Sequence, residues 1–241
     1  MRACCLLLAC LPALAAELPT LRVAVGLFLP PYVIREQHGG LEYDIVAEAL
    51  RRSGYRMQPQ YVAYGQIGAM LQRRAVDAAM TQNPASGLDA HYSEPVARYH
   101  DYAITLSARA IKLDKVADLQ PYSLVAFQNA RQELGPAFAE LVRNHPRYSE
   151  AGQQIAQNKL LYSGQVDVVI ADKLIFNYYR QLVHGEVDAR QPVTFHPLFE
   201  PIAYSVAFHD PALRERFNRA LAQMRKDGSV ARIEQRYRRY F

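Results

Sequence analysis

The sequence predicts an α/β protein with two lobes, each a mostly parallel sheet flanked by helices. Short apolar runs alternate with segments of helical periodicity, which is typical of parallel strands covered by helices on both faces. The alternation occurs in two successive blocks, and the VDAAM run of the first is echoed by VDVVIAD in the second. One further strand and helix follow, which the second lobe does not need and which we expect to complete the first.

The first block is divided by clear breaks, a Pro30-Pro31 pair and a Gly39-Gly40 turn. Its predicted elements are, in order, a strand at 21–28, a helix from Leu41 to the stop at Gly54, a strand at 60–64, a helix from Ile67 and a strand at 76–80. The helices are predicted from apolar residues at helical spacing, and the strands from runs of β-branched, aromatic or small apolar residues.

The second block repeats this pattern and leads into the last helix. Its predicted elements are, in order, a strand at 123–127, one helix with the apolar face Leu134, Phe138, Leu141 and Val142, a strand at 166–172 and a helix at 174–182. A strand at 204–209 follows, and then a helix with Asp210 as N-cap, Pro211 in its first position and Gly228 as its stop. We therefore assign 17–104 with 203–241 to lobe 1, and 105–202 to lobe 2.

The N-terminus has the layout of a secretory signal peptide, which we assign to 1–16. One positive charge precedes a short apolar run that ends in small residues. Cleavage after Ala15 or Ala16 would remove Cys4, Cys5 and Cys10, so the mature protein would have no disulfide and no thiolate site. The alternative is a lipoprotein anchored at Cys10, which would require an unusually short apolar run.

Composition excludes several classes of function. Half of the residues are hydrophobic and 21% are charged, which is globular rather than disordered. The formal net charge is +5, but much of the excess lies in the tail RIEQRYRRYF, which we interpret as a solvated helix face rather than a nucleic-acid site. The seven histidines show no metal-ligand spacing. We expect no cofactor, no metal and a monomer.

Five local motifs follow one another along the chain: LRVAV with PPY, GGLEYDIV, LQRRAVD, YSEP and LLYSGQVDVVIAD. Their order and spacing resemble the family 3 solute-binding proteins, the receptors of polar amino-acid ABC transporters. The resemblance implies a periplasmic-binding-protein-like fold, with two lobes joined by two crossing strands and the ligand held between them. It also implies a periplasmic location and a membrane ABC permease complex as partner.

In lobe 1 the candidate ligand-binding residues follow the predicted strands, where ligands of α/β sheets bind. In the family, aromatic residues matching Tyr32 and Tyr64 form an apolar wall against the ligand. Thr81, Gln82 and Asn83 offer hydroxyl, amide and backbone groups after the third strand. The family also carries an arginine here that clamps the ligand's α-carboxylate, but the loop TQNPASGLDAHYSEP contains no arginine or lysine.

In lobe 2 the strand at 123–127 leads into Gln128, Asn129 and Arg131, where the family binds the carboxylate with backbone N–H groups. We expect Asn129 to cap the next helix and Arg131 to serve an anion. Asp172 matches the family's acidic residue that pairs with the ligand's ammonium group, and it can also cap the helix that begins at Lys173. Asp167 is expected to satisfy backbone groups at the opposite strand end.

The expected function is capture of a small polar, amino-acid-like or cationic ligand for an ABC importer. One alternative is an enzyme on the same fold, similar to periplasmic cyclohexadienyl dehydratases, with Glu42, Asp44 and Glu150 as possible cleft acids. Another is a ligand-sensing partner of a membrane receptor. No acid/base pair or nucleophile stands out in the sequence, so we expect no catalytic residue.

Overall fold

The computed structural model describes residues 17–27 and 29–241. The predicted signal peptide at 1–16 and its three cysteines therefore lie outside the described residues, as does Phe28. Within the described part, strands and helices alternate as the sequence predicts, and the strands form two separate sheets. No helix in this part is long and apolar enough to cross a membrane.

The first sheet has six strands in the order β2-β1-β3-β11-β4, and β5 pairs with β11 beyond this path. Its strands are β1 (Thr20–Gly26), β2 (Arg56–Val62), β3 (Ala78–Gln82), β4 (His91–Tyr92), β5 (Ala97–Tyr99) and β11 (Ile202–Phe208). β1 runs parallel to β2 and β3, while β11 runs antiparallel to its neighbours. The predicted last strand thus returns to the first sheet.

The second sheet has five strands in the order β10-β6-β9-β7-β8. Its strands are β6 (Asp101–Leu106), β7 (Leu124–Phe127), β8 (Tyr148–Ala151), β9 (Val168–Asp172) and β10 (Val193–His196). β7 is parallel to β8 and β9, while β6 is antiparallel to β9 and β10. β7 and β9 are largely apolar and buried, because helices cover them, while the edge strand β8 is partly exposed.

The helices that flank the sheets are mostly those predicted. They are α1 (Leu41–Arg52), α2 (Ile67–Gln72), α3 (Ala130–Glu133), α4 (Pro136–Val142), α5 (Ile155–Tyr162), α6 (Lys173–Leu182), α7 (Pro211–Lys226) and α8 (Ser229–Arg236). Asp210 caps α7 by accepting the Ala212 N–H at 2.8 Å, and Gly228 ends the helical segment in a left-handed conformation. The basic tail forms α8 and a final turn, with Ile233 and Tyr240 buried beneath the exposed charges.

Two predicted elements differ from the structure for identifiable reasons. The single helix predicted from Leu134 is broken at Gly135, which has a φ of 87°, so α3 ends and α4 starts anew at Pro136. The second strand begins at Arg56 rather than 60 and contains Pro59. β2 is an edge strand that pairs only with β1, and a proline is tolerated there because its nitrogen can face away from the neighbouring strand.

Two short connections link the sheets: His100, between β5 and β6, and the segment 197–201, between β10 and β11. The strands at these crossings pair with each other, with Tyr99 opposite Ile202. The two-lobed α/β fold is confirmed. The lobe boundaries after 104 and 202 remain a prediction, and β6 pairs only with strands of the second sheet from Asp101 onward.

Gly40 lies in close contact with the backbone of the segment at Tyr32 and Val33. Its φ is 128°, and a Cβ atom there would lie 2.3 Å from the Tyr32 carbonyl oxygen. That oxygen also accepts the N–H groups of Glu42 and Tyr43 at the start of α1. The close approach therefore fixes both Tyr32 and the first turn of α1.

We expect Gly40→Ala to destabilise the protein by about 2 to 3 kcal/mol, because this backbone conformation is almost restricted to glycine. Gly39→Ala is the matched control, since a Cβ atom there would meet nothing closer than 3.5 Å. Thermal unfolding of both variants measures the difference. Equal losses of stability would contradict this explanation of the turn.

Candidate functional site

A cavity of about 310 Å³ lies between the two sheets. It is lined by strand ends and loops of both lobes, as expected for ligand sites in α/β proteins. Its lining includes four aromatic residues, Tyr64, Tyr99, Phe127 and Tyr204, and three carboxyl groups, Asp101, Glu133 and Asp172. No arginine, lysine or histidine is among the described lining residues. The cavity is thus aromatic and acidic.

Three tyrosines form one packed wall. Tyr99 stacks on Tyr32 with ring centroids 3.7 Å apart, and the rings of Tyr99 and Tyr204 meet in an edge-to-face arrangement with centroids 4.8 Å apart. Tyr32 is only 1% exposed and lies behind Tyr99, so it is Tyr99 that faces the cavity. Stacked rings of this kind present an electron-rich face that attracts cations.

Asp172 ends β9 and is 2% exposed, yet it has four hydrogen-bond donors around it. One carboxylate oxygen accepts the N–H groups of Leu174 and Ile175 at 2.8 and 3.1 Å, which confirms the predicted N-cap of α6. The other accepts the His100 N–H at 2.8 Å and the Tyr32 hydroxyl at 3.0 Å. Burial raises the pKa of Asp172 to about 6, although these hydrogen bonds act in the opposite direction.

Asp101 lies directly opposite Asp172 in the antiparallel pairing of β6 and β9. It is 7% exposed, and within the described residues no hydrogen bond to its carboxyl group is found. Burial, and then the negative charges of Asp172 and Glu133, raise the pKa of Asp101 well above its ordinary value. A buried carboxyl without a donor is costly unless a positive charge joins it.

Glu133, at the end of α3, is the third carboxyl of the cavity. Its pKa rises to about 7, first because it is largely buried and second because Glu150 is negatively charged. Three carboxyls with raised pKa values therefore surround one cavity, which is the pattern that marks a functional site rather than a stabilising ion-pair network.

Glu42 lies behind the tyrosine wall and is completely buried. Its carboxyl group accepts hydrogen bonds from the Thr81 N–H and hydroxyl at 2.9 and 3.0 Å, and from the Tyr99 hydroxyl at 2.9 Å. Burial raises the pKa of Glu42 to about 7, and these three hydrogen bonds oppose the rise. Glu42 thus fixes the orientation of Tyr99 without lining the cavity itself.

Glu150 on β8 occupies the start of α3. Its carboxylate accepts the N–H groups of Asn129 at 2.7 Å and Arg131 at 3.1 Å, and the Tyr148 hydroxyl at 2.7 Å. Partial burial alone would raise the pKa of Glu150, but these hydrogen bonds and the charge of Arg131 lower it below its ordinary value. Glu150 is therefore an ionised internal cap.

The structure brings four of the nine predicted site residues to the cavity. These are Tyr64, Gln128, Asn129 and Asp172. The other five lie elsewhere. They are Tyr32, behind Tyr99; Thr81, bonded to Glu42; Gln82, whose amide donates to the carbonyls of Met80 and Thr81; Asn83, outside the lining; and Arg131, exposed on α3.

One predicted local role is corrected. Asn129 does not cap α3 with its side chain, because its backbone is left-handed with a φ of 71° and Glu150 supplies the cap. The backbone N–H of Arg131 donates to the carboxylate of Glu150 at 3.1 Å. The expected role of Arg131 toward an anion of the ligand remains a prediction. Asp167 behaves as predicted, since it accepts the Ser123 N–H and hydroxyl at 2.8 and 2.7 Å.

Sequence reasoning did not find Tyr99, Asp101, Glu133 or Tyr204. Tyr99 and Asp101 lie on either side of His100, at the end of β5 and the start of β6. Tyr204 lies on β11, the strand that pairs with β5. The signal that could have located Asp101 is an acidic residue opening the apolar run YAITL. Among the alternative cleft acids, Asp44 bonds to Tyr237 at 2.6 Å and is not in the lining.

Comparison with known proteins places this arrangement in a family. The family model described as bacterial extracellular solute-binding proteins, family 3, matches residues 21–240. No curated protein matches the sequence significantly.

Solved structures share the fold at low sequence identity. An ancestral arginine-binding protein bound to arginine has 19% identity and a TM-score of 0.72, with 90% of this chain and 97% of that chain covered. The arginine-, lysine-, histidine-binding protein ArtJ from Geobacillus stearothermophilus has 17% identity and a TM-score of 0.71, covering 90% and 94%. A histidine kinase sensor domain has 15% identity and a TM-score of 0.73, covering 90% and 95%. The family match spans almost the whole described chain, and the chain therefore belongs to the family 3 bacterial extracellular solute-binding proteins.

Proposed function

We propose that this protein captures a small positively charged ligand, amino-acid-like or a simple organic cation, in the cavity between its lobes. The observation that carries the proposal is a set of three carboxyls, the buried Asp101 and Asp172 and the partly exposed Glu133, in a lining without a basic side chain among the described residues. A cation would neutralise the negative charges of these carboxyls, which are unfavourable in a cavity shielded from water. The aromatic side chains of the lining would attract the same cation.

In this proposal the lobes close on the ligand as two rigid bodies. Motion would be absorbed at His100 and at 197–201, because these are the two connections between the sheets. Side chains of both lobes already meet at the cavity, where the Tyr32 hydroxyl donates to Asp172 at 3.0 Å. A ligand that binds both lobes would stabilise the closed state. The protein would act in the periplasm, as a monomer, and deliver the ligand to a membrane ABC importer.

The charge of the cavity bears on the enzyme alternative. A dehydratase of the cyclohexadienyl type acts on prephenate or arogenate, each of which has two carboxylates, and these would meet three carboxyls and no basic lining residue in the described chain. Like charges that meet in a buried site repel strongly. We therefore propose binding rather than catalysis, with the carboxyls acting as cation ligands.

A melting-temperature screen tests the proposal. At pH 8 we expect L-lysine, L-arginine or simple amines to stabilise the protein, while L-glutamate, citrate and L-leucine have no effect. A ligand at 100 times its dissociation constant adds about 2.7 kcal/mol, which corresponds to roughly 5 °C or more for a chain of this size. Stabilisation by an anion, with none by any cation, would overturn the proposal.

The affinity for the cation should depend on pH. The cation requires ionised carboxyls, but the pKa of Asp172 is about 6, that of Glu133 is about 7 and that of Asp101 is raised well above its ordinary value. Below these values the carboxyls hold protons that the cation must displace, so affinity should rise by up to about tenfold per pH unit between about pH 5.5 and 7.5. Calorimetry in buffers of different ionisation enthalpy would measure the released protons. Constant affinity without proton release would contradict the role of these groups.

A further inference from the structure

Two helices of the second lobe begin at the cavity, and both starts are already occupied by acidic side chains. Asp172 accepts the N–H groups of Leu174 and Ile175 at the start of α6. Glu150 accepts those of Asn129 and Arg131 at the start of α3. Helix-start N–H groups are the backbone donors that attract anions. At these two helices they are satisfied by the protein itself.

The cap by Glu150 is a stable part of the structure. Besides the two N–H groups, it receives the Tyr148 hydroxyl at 2.7 Å, and its lowered pKa keeps it ionised at neutral pH. It also adds negative charge beside Glu133. A carboxylate of a ligand would have to displace an internal carboxylate here or enter next to it, and either step is unfavourable.

Acceptors at the cavity, in contrast, lack donors. The Asp101 carboxyl has no hydrogen bond within the described residues, and it is 7% exposed. The side-chain oxygen of Gln154, another lining residue, is buried and likewise has no donor among the described groups. A buried acceptor without a donor is unfavourable unless a ligand supplies one. The cavity therefore suits a ligand rich in N–H groups.

We infer that the ligand is an organic cation without a carboxylate and with two positive groups, such as a diamine or a guanidino-amine. The inference rests on the proposed function and narrows it. The absence of a carboxylate follows from the occupied helix starts and the lack of a basic lining residue in the described chain. Two positive groups follow because Asp172 is already held by four hydrogen-bond donors, whereas Asp101 and Glu133 each lack a counter-charge among the described residues.

Matched ligands that differ only in the carboxylate test the first part. Calorimetric titrations at pH 8 would compare agmatine with L-arginine, and cadaverine with L-lysine. L-argininamide keeps the α-amino group of arginine but not its negative charge, so it separates charge from size. We expect agmatine, L-argininamide and cadaverine to bind at least about tenfold more tightly than the amino acids, because burying an unpaired carboxylate beside other carboxyls is strongly unfavourable.

The outcomes separate the two levels of the argument. L-arginine or L-lysine binding as tightly as its carboxylate-free counterpart would overturn the inference and leave the proposed function standing. Failure of every cation to bind, with folding confirmed by circular dichroism, would remove both. Tighter binding of the carboxylate-free ligands supports both.

A monoamine and one variant test the number of charges. Pentylamine has the chain of cadaverine but one amine, so we expect it to bind at least about tenfold more weakly to the unchanged protein. In Glu133→Gln this ratio should fall towards one, because the side chain that would hold the second amine is neutral. Equal affinity of the two amines for the unchanged protein, or an unchanged ratio in the variant, would overturn the two-charge part. The melting temperature of the variant checks that it is folded.

Discussion

Asp101→Asn is expected to weaken binding of the cationic ligand by about 100-fold and, in the same protein, to raise the stability of the empty form. Asparagine has nearly the shape of aspartate but cannot pair with a cation, and the loss of a buried charge partner typically costs about 2 to 5 kcal/mol of binding free energy. Calorimetry with cadaverine or agmatine at pH 8 measures the first effect.

The opposite sign of the stability effect follows from the pKa. The pKa of Asp101 is raised well above its ordinary value, so the folded empty protein favours the protonated form and loses stability as the pH rises above the unfolded pKa of about 4. Asparagine removes that loss, and the melting temperature at pH 8 should increase by about 2 to 4 °C or more, which corresponds to at least about 1 kcal/mol.

Asp89→Asn is the control for this pair of effects, because Asp89 is exposed and is not in the lining. It should change neither affinity nor melting temperature appreciably. If Asp101→Asn instead bound the cation normally, the carboxyl would not be part of the site. If it lost binding and also melted earlier than the unchanged protein, its role would be structural.

Asp172→Ala is expected to lose both binding and stability. The substitution leaves four donors without their acceptor: the N–H groups of Leu174, Ile175 and His100, and the Tyr32 hydroxyl. Loss of a helix cap together with unsatisfied buried donors should destabilise the fold by about 3 to 5 kcal/mol. Denaturant unfolding measures this, and calorimetry on the remaining folded protein should find no binding of the cation.

Asp210→Ala provides the comparison for the helix cap alone. Asp210 caps α7 with a single hydrogen bond, to the Ala212 N–H at 2.8 Å, and it is exposed. Its replacement should cost only about 1 kcal/mol and leave ligand affinity unchanged. Similar losses in the two variants would mean that Asp172 acts as an ordinary surface cap.

The parts of the site that could be predicted from sequence are those set by local rules. A strand that ends in aspartate before an amphipathic helix predicts a cap, and Asp172 and Asp210 both cap the helices assigned to them. The predicted helix stop at Gly228 follows from an equally local signal. Such signals depend only on neighbouring residues, so they can be recognised without knowledge of the tertiary structure.

The residues that sequence could not place depend on contacts between distant segments. Tyr32 was expected at the cavity, but Tyr99, 67 positions later, stacks in front of it. Asn129 was expected to cap α3, but Glu150 reaches that helix start from a neighbouring strand. Asp101 became a site residue only because pairing of β6 with β9 places it beside Asp172. The order of elements along the chain does not show which strands pair, so these three roles could not be predicted from the sequence.

The three carboxyls of the cavity affect the balance between the open and the closed form of the protein. With the lobes apart, water would surround Asp101, Glu133 and Asp172, and their charges would be tolerated. Closing without a ligand would dehydrate three like charges, so the empty protein is biased against the shape that a transporter would recognise. Under the proposed function, the positive charge of the ligand offsets the negative charges of the carboxyls, so the protein closes readily only with ligand bound. The empty protein would then seldom bind to the transporter in the closed form.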